Sequence, residues 1–433
     1  MRPDWESGWR GRLYALGRRA VPLSWRRALR RRVATERLLG LRKPGAALAY
    51  GPAEPGPAVA GRADVLVLPV VAWSYRRQRP QQLAEALARR GRRVFYGSLA
   101  GSGEPAEAAG VAPGVTLVPI PGVRREDPAD RPLEGAALAA AAEGLAAWRA
   151  RFSVADAAVV VQTPFWQPLA SILRRRFGWR VVYDCLDAHE GFAANRPGVL
   201  DEPERALAAE ADLVVATSPA LVRRLADRRP DVRLLPNAGD PEPFAGLAPP
   251  RRSPRDLVVG YVGAVDDWFD APLVAALARR RPHWRFEIVG GVESPSLALP
   301  RAANVVFHGE RPYREMPAFH AGFDVEMIPF RPSPLTHATD PVKLYEAAAA
   351  GRAVVATPLQ SLKPYADRGL VLLAGTAEEF AAALEAAAAA GPEEAERRRA
   401  FARDNTWDAR AATLDAWLTS GGARETVRPK PNP

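Results

Sequence analysis

Apolar residues in this chain fall into short continuous runs, separated by longer stretches of helical period, and the alternation repeats from residue 64 onward. Residues 64–73 (DVLVLPVVAW) form a β-branched run without polar alternation, as expected of a strand buried on both faces. A helical period covers 80–90, and 93–99 and 115–120 read as strands. An Ala-rich helix is predicted over 134–151. Strands are predicted over 157–162, 180–185, 212–216 and 232–235, with helical stretches between them. A second series opens after the Pro- and Arg-rich stretch 249–255. Its strands are 256–262, 285–289, 304–307, 324–328 and 353–356, and its helices are 270–281, 341–350 and 377–390. A last helix is predicted over 408–417.

Strands alternating with helices imply parallel sheets covered on both faces. Two such series imply an α/β chain of two Rossmann-like doubly wound domains facing a cleft, at 63–245 and 255–400. Residues 1–62 are left as an arm and linker, 401–420 as a C-terminal helix and 421–433 as a tail. Ligands of doubly wound sheets bind beyond the carboxyl ends of the strands, so the cleft is the expected site.

Charge changes this picture only at one end. The net charge is +11, but residues 1–43 hold 13 Lys/Arg against 3 Asp/Glu, which accounts for +10 of it. The remaining body is near neutral, a poor electrostatic trap for nucleic acid. Trp5, Trp9, Trp25 and several leucines sit among the arginines, so the arm reads either as an interfacial segment for an anionic membrane surface or as a disordered basic tail. No apolar run is long enough to span a bilayer. A single cysteine, Cys185, precludes a disulfide within the chain and suits a reducing cytoplasmic compartment.

The most informative stretch is 336–357, THATDPVKLYEAAAAGRAVVAT. Asp340 suits a helix N-cap, Pro341 the first helical position and Gly351 the helix end. A helix N-terminus carries free N–H groups and a positive dipole end, and so can receive a diphosphate. Lys343 would add a formal positive charge there. Glu346, one turn on, has the acceptors to hold vicinal ribose hydroxyls. The same spacing is also that of an ordinary solvated Lys–Glu pair.

This stretch resembles the donor-binding signature of GT-B-fold glycosyltransferases, in particular the family 4-like group. In that signature a Glu, seven residues and a second Glu precede an A-x-G-x-P-V-V-A turn. Glu346 matches the second Glu, and Gly351 to Ala356 match the turn, with Ala353 in place of Pro. Ala338 stands where the first Glu belongs, so that acid's contact with the donor sugar does not carry over. The pattern is closer to divergent members with P-x-K-x-x-E. The stretch 234–240 (LLPNAGD) resembles the family's interdomain P-N-G-V-D, and Thr217-Ser218 its T-S. Gly260 to Ala264, including Gly263, resembles the first strand–loop of the donor domain. No base follows that loop here, which leaves Lys343 as the phosphate cation. The loop holding His308, Arg311 and Tyr313 is the one that packs on the nucleobase in the family.

The N-terminal domain is then expected to supply the acceptor site. Asp187 and His189, in the acidic stretch after the 180–185 strand, are the candidate bases for activating a sugar hydroxyl. Trp73, Tyr75, Arg76, Gln162 and Trp166 lie at strand ends and are candidate acceptor contacts. The expected activity is sugar transfer from a nucleotide-sugar, a UDP-sugar above others, to a polysaccharide, lipid-linked or other cell-envelope acceptor. It needs no metal, because no spaced D-x-D occurs, and would take place in the cytoplasm or on the inner face of the membrane. The alternatives are a sugar-nucleotide epimerase and a non-catalytic nucleotide-binding scaffold. A nicotinamide dehydrogenase is disfavoured by the lack of G-x-G-x-x-G.

Overall fold

The computed structural model describes residues 50–124, 131–192, 195, 198–248, 256–294 and 297–420. The basic arm, the 249–255 stretch and the 421–433 tail lie outside the described residues, and with them the reading of the arm as a membrane-docking segment.

Two parallel sheets organise the chain. The first contains β1 (Asp64–Leu68), β2 (Val94–Ala100), β3 (Ala109–Ala112), β4 (Val115–Arg124), β5 (Ala157–Val161), β6 (Arg180–Cys185), β7 (Leu213–Ala216) and β8 (Arg233–Leu234), in the order β3-β4-β2-β1-β5-β6-β7-β8. All its pairings are parallel except the β3–β4 hairpin. The second contains β9 (Val258–Val262), β10 (Arg285–Val289), β11 (Val305–Gly309), β12 (Val325–Ile328), β13 (Ala353–Ala356) and β14 (Leu372–Leu373), in the order β11-β10-β9-β12-β13-β14. Strand order reverses beside β1 and beside β9, the points where doubly wound sheets open a crevice.

The continuous apolar runs are buried on both faces, as their lack of alternation requires: β1, β5 and β13 have no exposed residue. Several strands differ from the sequence reading for local reasons. The 64–73 run ends as a strand at Leu68, because Pro69 has no N–H to continue a ladder. The hairpin strand β3 and the two-residue β14 are too short to show a period. The helix Pro392–Asp404 is dominated by Arg and Glu, so its thin apolar stripe (Ala395, Phe401, Ala402) did not register. The linker's end is pinned: Gly51 and Gly110 exchange two backbone hydrogen bonds of 2.9 and 3.0 Å.

The helix Trp407–Thr419 does not stay with the second domain. Its Trp407, Ala411, Leu414 and Leu418 pack into the core of the first sheet with Val65, Leu83 and Leu87. Asp415, on the same helix, accepts hydrogen bonds from Arg62, Arg90 and Arg92 at 2.7, 3.2 and 2.5 Å. The chain therefore crosses between domains twice, and the crossings meet where Gly239 pairs with Thr406.

Candidate donor site in the interdomain cleft

β9 ends at a turn that only glycine accommodates. Gly263 has φ 142° and Gly290, just past β10, has φ 153°. A Cβ on Gly290 would lie 1.9 Å from the Gly263 carbonyl oxygen, so the two loops touch backbone to backbone. A Cβ on Gly263 would lie 2.9 Å from the Lys343 ammonium. The loop and the cation, separated by 80 residues of sequence, are thus one site. Gly263 supplies room rather than a donor, because its own N–H is already given to Val289 O at 2.8 Å.

Lys343 lies in the first turn of the helix Val342–Ala349. Its ammonium sits 4.9 Å from the Tyr261 ring centroid and 4.6 Å from that of Phe330. Its pKa is lowered to about 8, chiefly by burial and in smaller part by Arg76, with Glu346 and Glu326 opposing the shift. Glu346 is not a surface partner of Lys343. It is 8 % exposed, and burial raises its pKa against the opposing influence of His320 and the nearby Tyr313 side chain. The helix ends as the sequence implies, with Gly351 at φ 72°.

Asp340 requires a correction. Pro341 occupies the N-cap position and no side chain caps this helix. The Asp340 carboxylate instead accepts from Asn237 N–H at 2.7 Å and from the Tyr345 and Tyr365 hydroxyls at 2.9 and 3.0 Å. With all these partners and 3 % exposure, it ties the second domain to the interdomain crossing at Asn237. His308 is held by Glu287 at 3.1 Å and lies edge-on to Phe319. Arg311 is exposed and donates to the His308 carbonyl. Of the three loop candidates, Tyr313 is the one in contact with Glu346.

Across the cleft, Asp187 follows β6 and accepts from the Thr339 hydroxyl at 3.1 Å. Burial raises its pKa to about 7, the Thr339 hydrogen bond opposes this and Asp340 adds to it. His189 is buried and uncharged at neutral pH, its pKa lowered by burial to about 4. Its Nε2 has no hydrogen-bond partner among the described residues.

Two acceptor candidates are core residues instead. Trp166 is fully buried with its indole N–H on Pro69 O at 2.8 Å, and Trp73 packs edge-on to Tyr96. Neither offers a ring face to a sugar. Gln162 is also buried and donates to Asp184 at 3.3 Å. Arg76 does reach the cleft and crosses it to Glu293 and Glu310 of the second domain, with its guanidinium 5.2 Å from the Tyr75 ring centroid.

Sequence reasoning missed the buried ties around this site. Arg79 binds Asp184 at 2.8 Å and Asn237 at 3.3 Å. Ser218 caps its helix while donating to Ala338 O at 2.6 Å, so the position lacking the signature's first Glu packs against the other domain. The only available signal was that Arg79 and Asp184 fall at strand–helix junctions. Beside Ala338 a groove of about 450 Å³ runs between the domains, lined in part by Glu190, Arg224, Ser333 and His337.

Two facing Rossmann-like sheets, a glycine–lysine cradle at the reversal point of the second, and chain crossings that close over both make this a GT-B-fold protein. Residues 256–389 match the family model described as glycosyl transferases group 1, and residues 76–238 match the glycosyl transferase 4-like domain. The chain belongs to the family 4-like GT-B glycosyltransferases.

Over 224 residues it is 28 % identical to TuaH of Bacillus subtilis, whose name assigns it to glycosyl transfer in teichuronic acid biosynthesis. That match covers 46 % of this chain and 56 % of TuaH, little more than half of the relative's length. Sucrose-phosphate synthase of Thermosynechococcus elongatus superposes with a TM-score of 0.65 at 18 % identity, over 83 % of this chain and 98 % of that one. Anabaena HepE, solved in complex with UDP and glucose, superposes with 0.58 at 16 % identity, over 83 % and 100 %. At such identities the superpositions speak for the fold.

Proposed function

We propose that this chain, a glycosyltransferase by family, transfers a sugar from a nucleoside-diphosphate sugar, a UDP-sugar above others, to a glycan or lipid-linked acceptor of the cell envelope. The observation that carries this reading is the convergence of Gly263, Lys343, Glu346 and Tyr313 beside the reversal point of the second sheet. Lys343 faces the diphosphate, and Glu346 with Tyr313 faces the nucleoside. The UDP in HepE and the wall-polymer role in TuaH's name support the donor class and the acceptor class respectively.

Asp187 is the proposed base. Its carboxyl, balanced near neutrality, accepts the proton of the acceptor hydroxyl as that oxygen attacks the anomeric carbon. The leaving diphosphate gains negative charge as its bond to the sugar breaks, and Lys343 with the helix N-terminus stabilises it. The proposed reaction needs no divalent metal.

Calorimetric titration with UDP, GDP and the monophosphates, with and without EDTA, tests this. The expected result is EDTA-insensitive binding of one diphosphate that is lost in Glu346→Ala. Absence of binding to every nucleotide by the folded chain would overturn the reading.

A further inference from the structure

The donor domain leaves its own cradle short of positive charge. After Gly263 come Ala264, Val265, Asp266 and Asp267, and burial with the nearby Asp267 and Glu293 raises the Asp266 pKa to about 6. A guanidinium arrives from the other domain. Arg76, in the loop between β1 and the helix Arg79–Arg89, donates to Glu310 through Nε at 2.9 Å and Nη2 at 2.6 Å, and also to Glu293. A Cβ on Gly291 would lie 2.7 Å from Arg76 Nη2. Gly291 directly follows Gly290, whose backbone rests on Gly263 beneath Lys343. Lys343 against Gly263 and Arg76 against Gly291 therefore approach adjoining glycines of the two touching loops, each from its own domain.

We propose that Arg76 is a ligand of the donor diphosphate supplied by the N-terminal domain, and that Glu293 and Glu310 hold it until the diphosphate displaces them. This rests on the donor-site reading above. The physical ground is an exchange of like for like. A planar guanidinium binds carboxylate and phosphate with the same two-pronged geometry, so the phosphate oxygens can take over the donors the carboxylates release. The released carboxylates then repel the diphosphate, which favours movement of the Glu293 and Glu310 loops away from Arg76. Donor binding is thereby coupled to how the two domains sit on one another.

The test is calorimetry with UDP and with uridine on the full chain. Arg76→Ala is expected to weaken UDP by about tenfold, the lower end for a charge-assisted hydrogen bond, and to leave uridine unchanged. Arg76→Lys should recover part of the loss. Glu293→Gln with Glu310→Gln should tighten UDP severalfold, and adding Arg76→Ala to that pair should again weaken UDP by about tenfold, a loss that unpaired carboxylates cannot cause once both are neutral. A purely structural ion pair predicts that Arg76→Ala costs no UDP affinity in the Gln pair, and that result would overturn the proposal. If UDP binds the unaltered chain and is lost in Glu346→Ala, yet is indifferent to Arg76→Ala, Arg76 is excluded while the donor site stands. If the unaltered chain does not bind UDP at all, both fall together.

Discussion

Raising the pH should release the donor through one side chain, Lys343. Its ammonium is pressed between Tyr261 and Phe330 and titrates at about 8 rather than in the usual lysine range. Phosphate oxygens have completed their own titration by pH 7, with a second pKa of about 6, so they do not contribute to the change. Bound diphosphate favours the charged lysine and raises its pKa in the complex. Affinity is then flat below pH 8 and falls above it. At pH 9 about a tenth of the free protein carries the charge, so UDP affinity should drop about tenfold between pH 7 and 9.

The stability of the unliganded protein should move the other way. A lysine pKa depressed by folding means that the unfolded chain binds more protons between about pH 8 and the ordinary lysine value, so stability rises across that window. The assay is UDP titration by calorimetry at half-unit steps from pH 7 to 9.5, with Lys343→Arg as the control. Arginine keeps its charge throughout, so its profile should be flat. A flat profile for the unaltered chain, or the same slope in Lys343→Arg, refutes the assignment of Lys343 to the phosphates.

Three other expectations are distinct. Asp187→Asn should keep UDP affinity and lose roughly a hundredfold or more in turnover, and turnover of the unaltered enzyme should fall as pH drops through about 7, where Asp187 takes up its proton. Gly290→Ala should weaken UDP binding in a protein that still folds, as a nucleotide titration beside a melting curve would show, because a Cβ there meets the Gly263 backbone and parts the cradle. Asp415→Ala should cost about 3 kcal/mol in urea denaturation, since Arg92 is left buried without its carboxylate. Burial would raise the Asp415 pKa, but the hydrogen bonds and charges of Arg62 and Arg92 outweigh it and hold the carboxyl below the ordinary value. That stabilisation is present above the ordinary aspartate pKa and is lost as pH falls through the lower folded one.

The architecture was legible because its signals are long and local. Buried parallel strands announce themselves as β-branched runs, and Gly263 and Gly351 mark positions where the backbone takes conformations closed to other residues. The pairing of Lys343 with Gly263 was half legible, since each was recognisable from its own motif but their contact is a product of topology. The acceptor side was hidden. An aromatic at a strand end looks the same whether it faces solvent, as Tyr75 does in part, or turns inward, as Trp73 and Trp166 do. Asp340 misled for a related reason: an Asp before a Pro and a helix is the capping pattern, and nothing local reveals that Asn237, Tyr345 and Tyr365 will compete for its oxygens. Arg76 could be assigned to the cleft, but not to the carboxylates that hold it across it.

The return of the helix Trp407–Thr419 to the first sheet sets an order of assembly. During synthesis, Val65, Leu83 and Leu87 emerge more than 300 residues ahead of Leu414 and Leu418, which cover them. The first domain therefore waits, with part of its apolar face bare, while the whole second domain is made. Until the last helix is made, that bare face is a surface through which nascent chains can stick to one another. A ribosome that stops within the second domain would leave a first domain that cannot finish folding, so quality control can recognise the incomplete product by the very surface the last helix conceals.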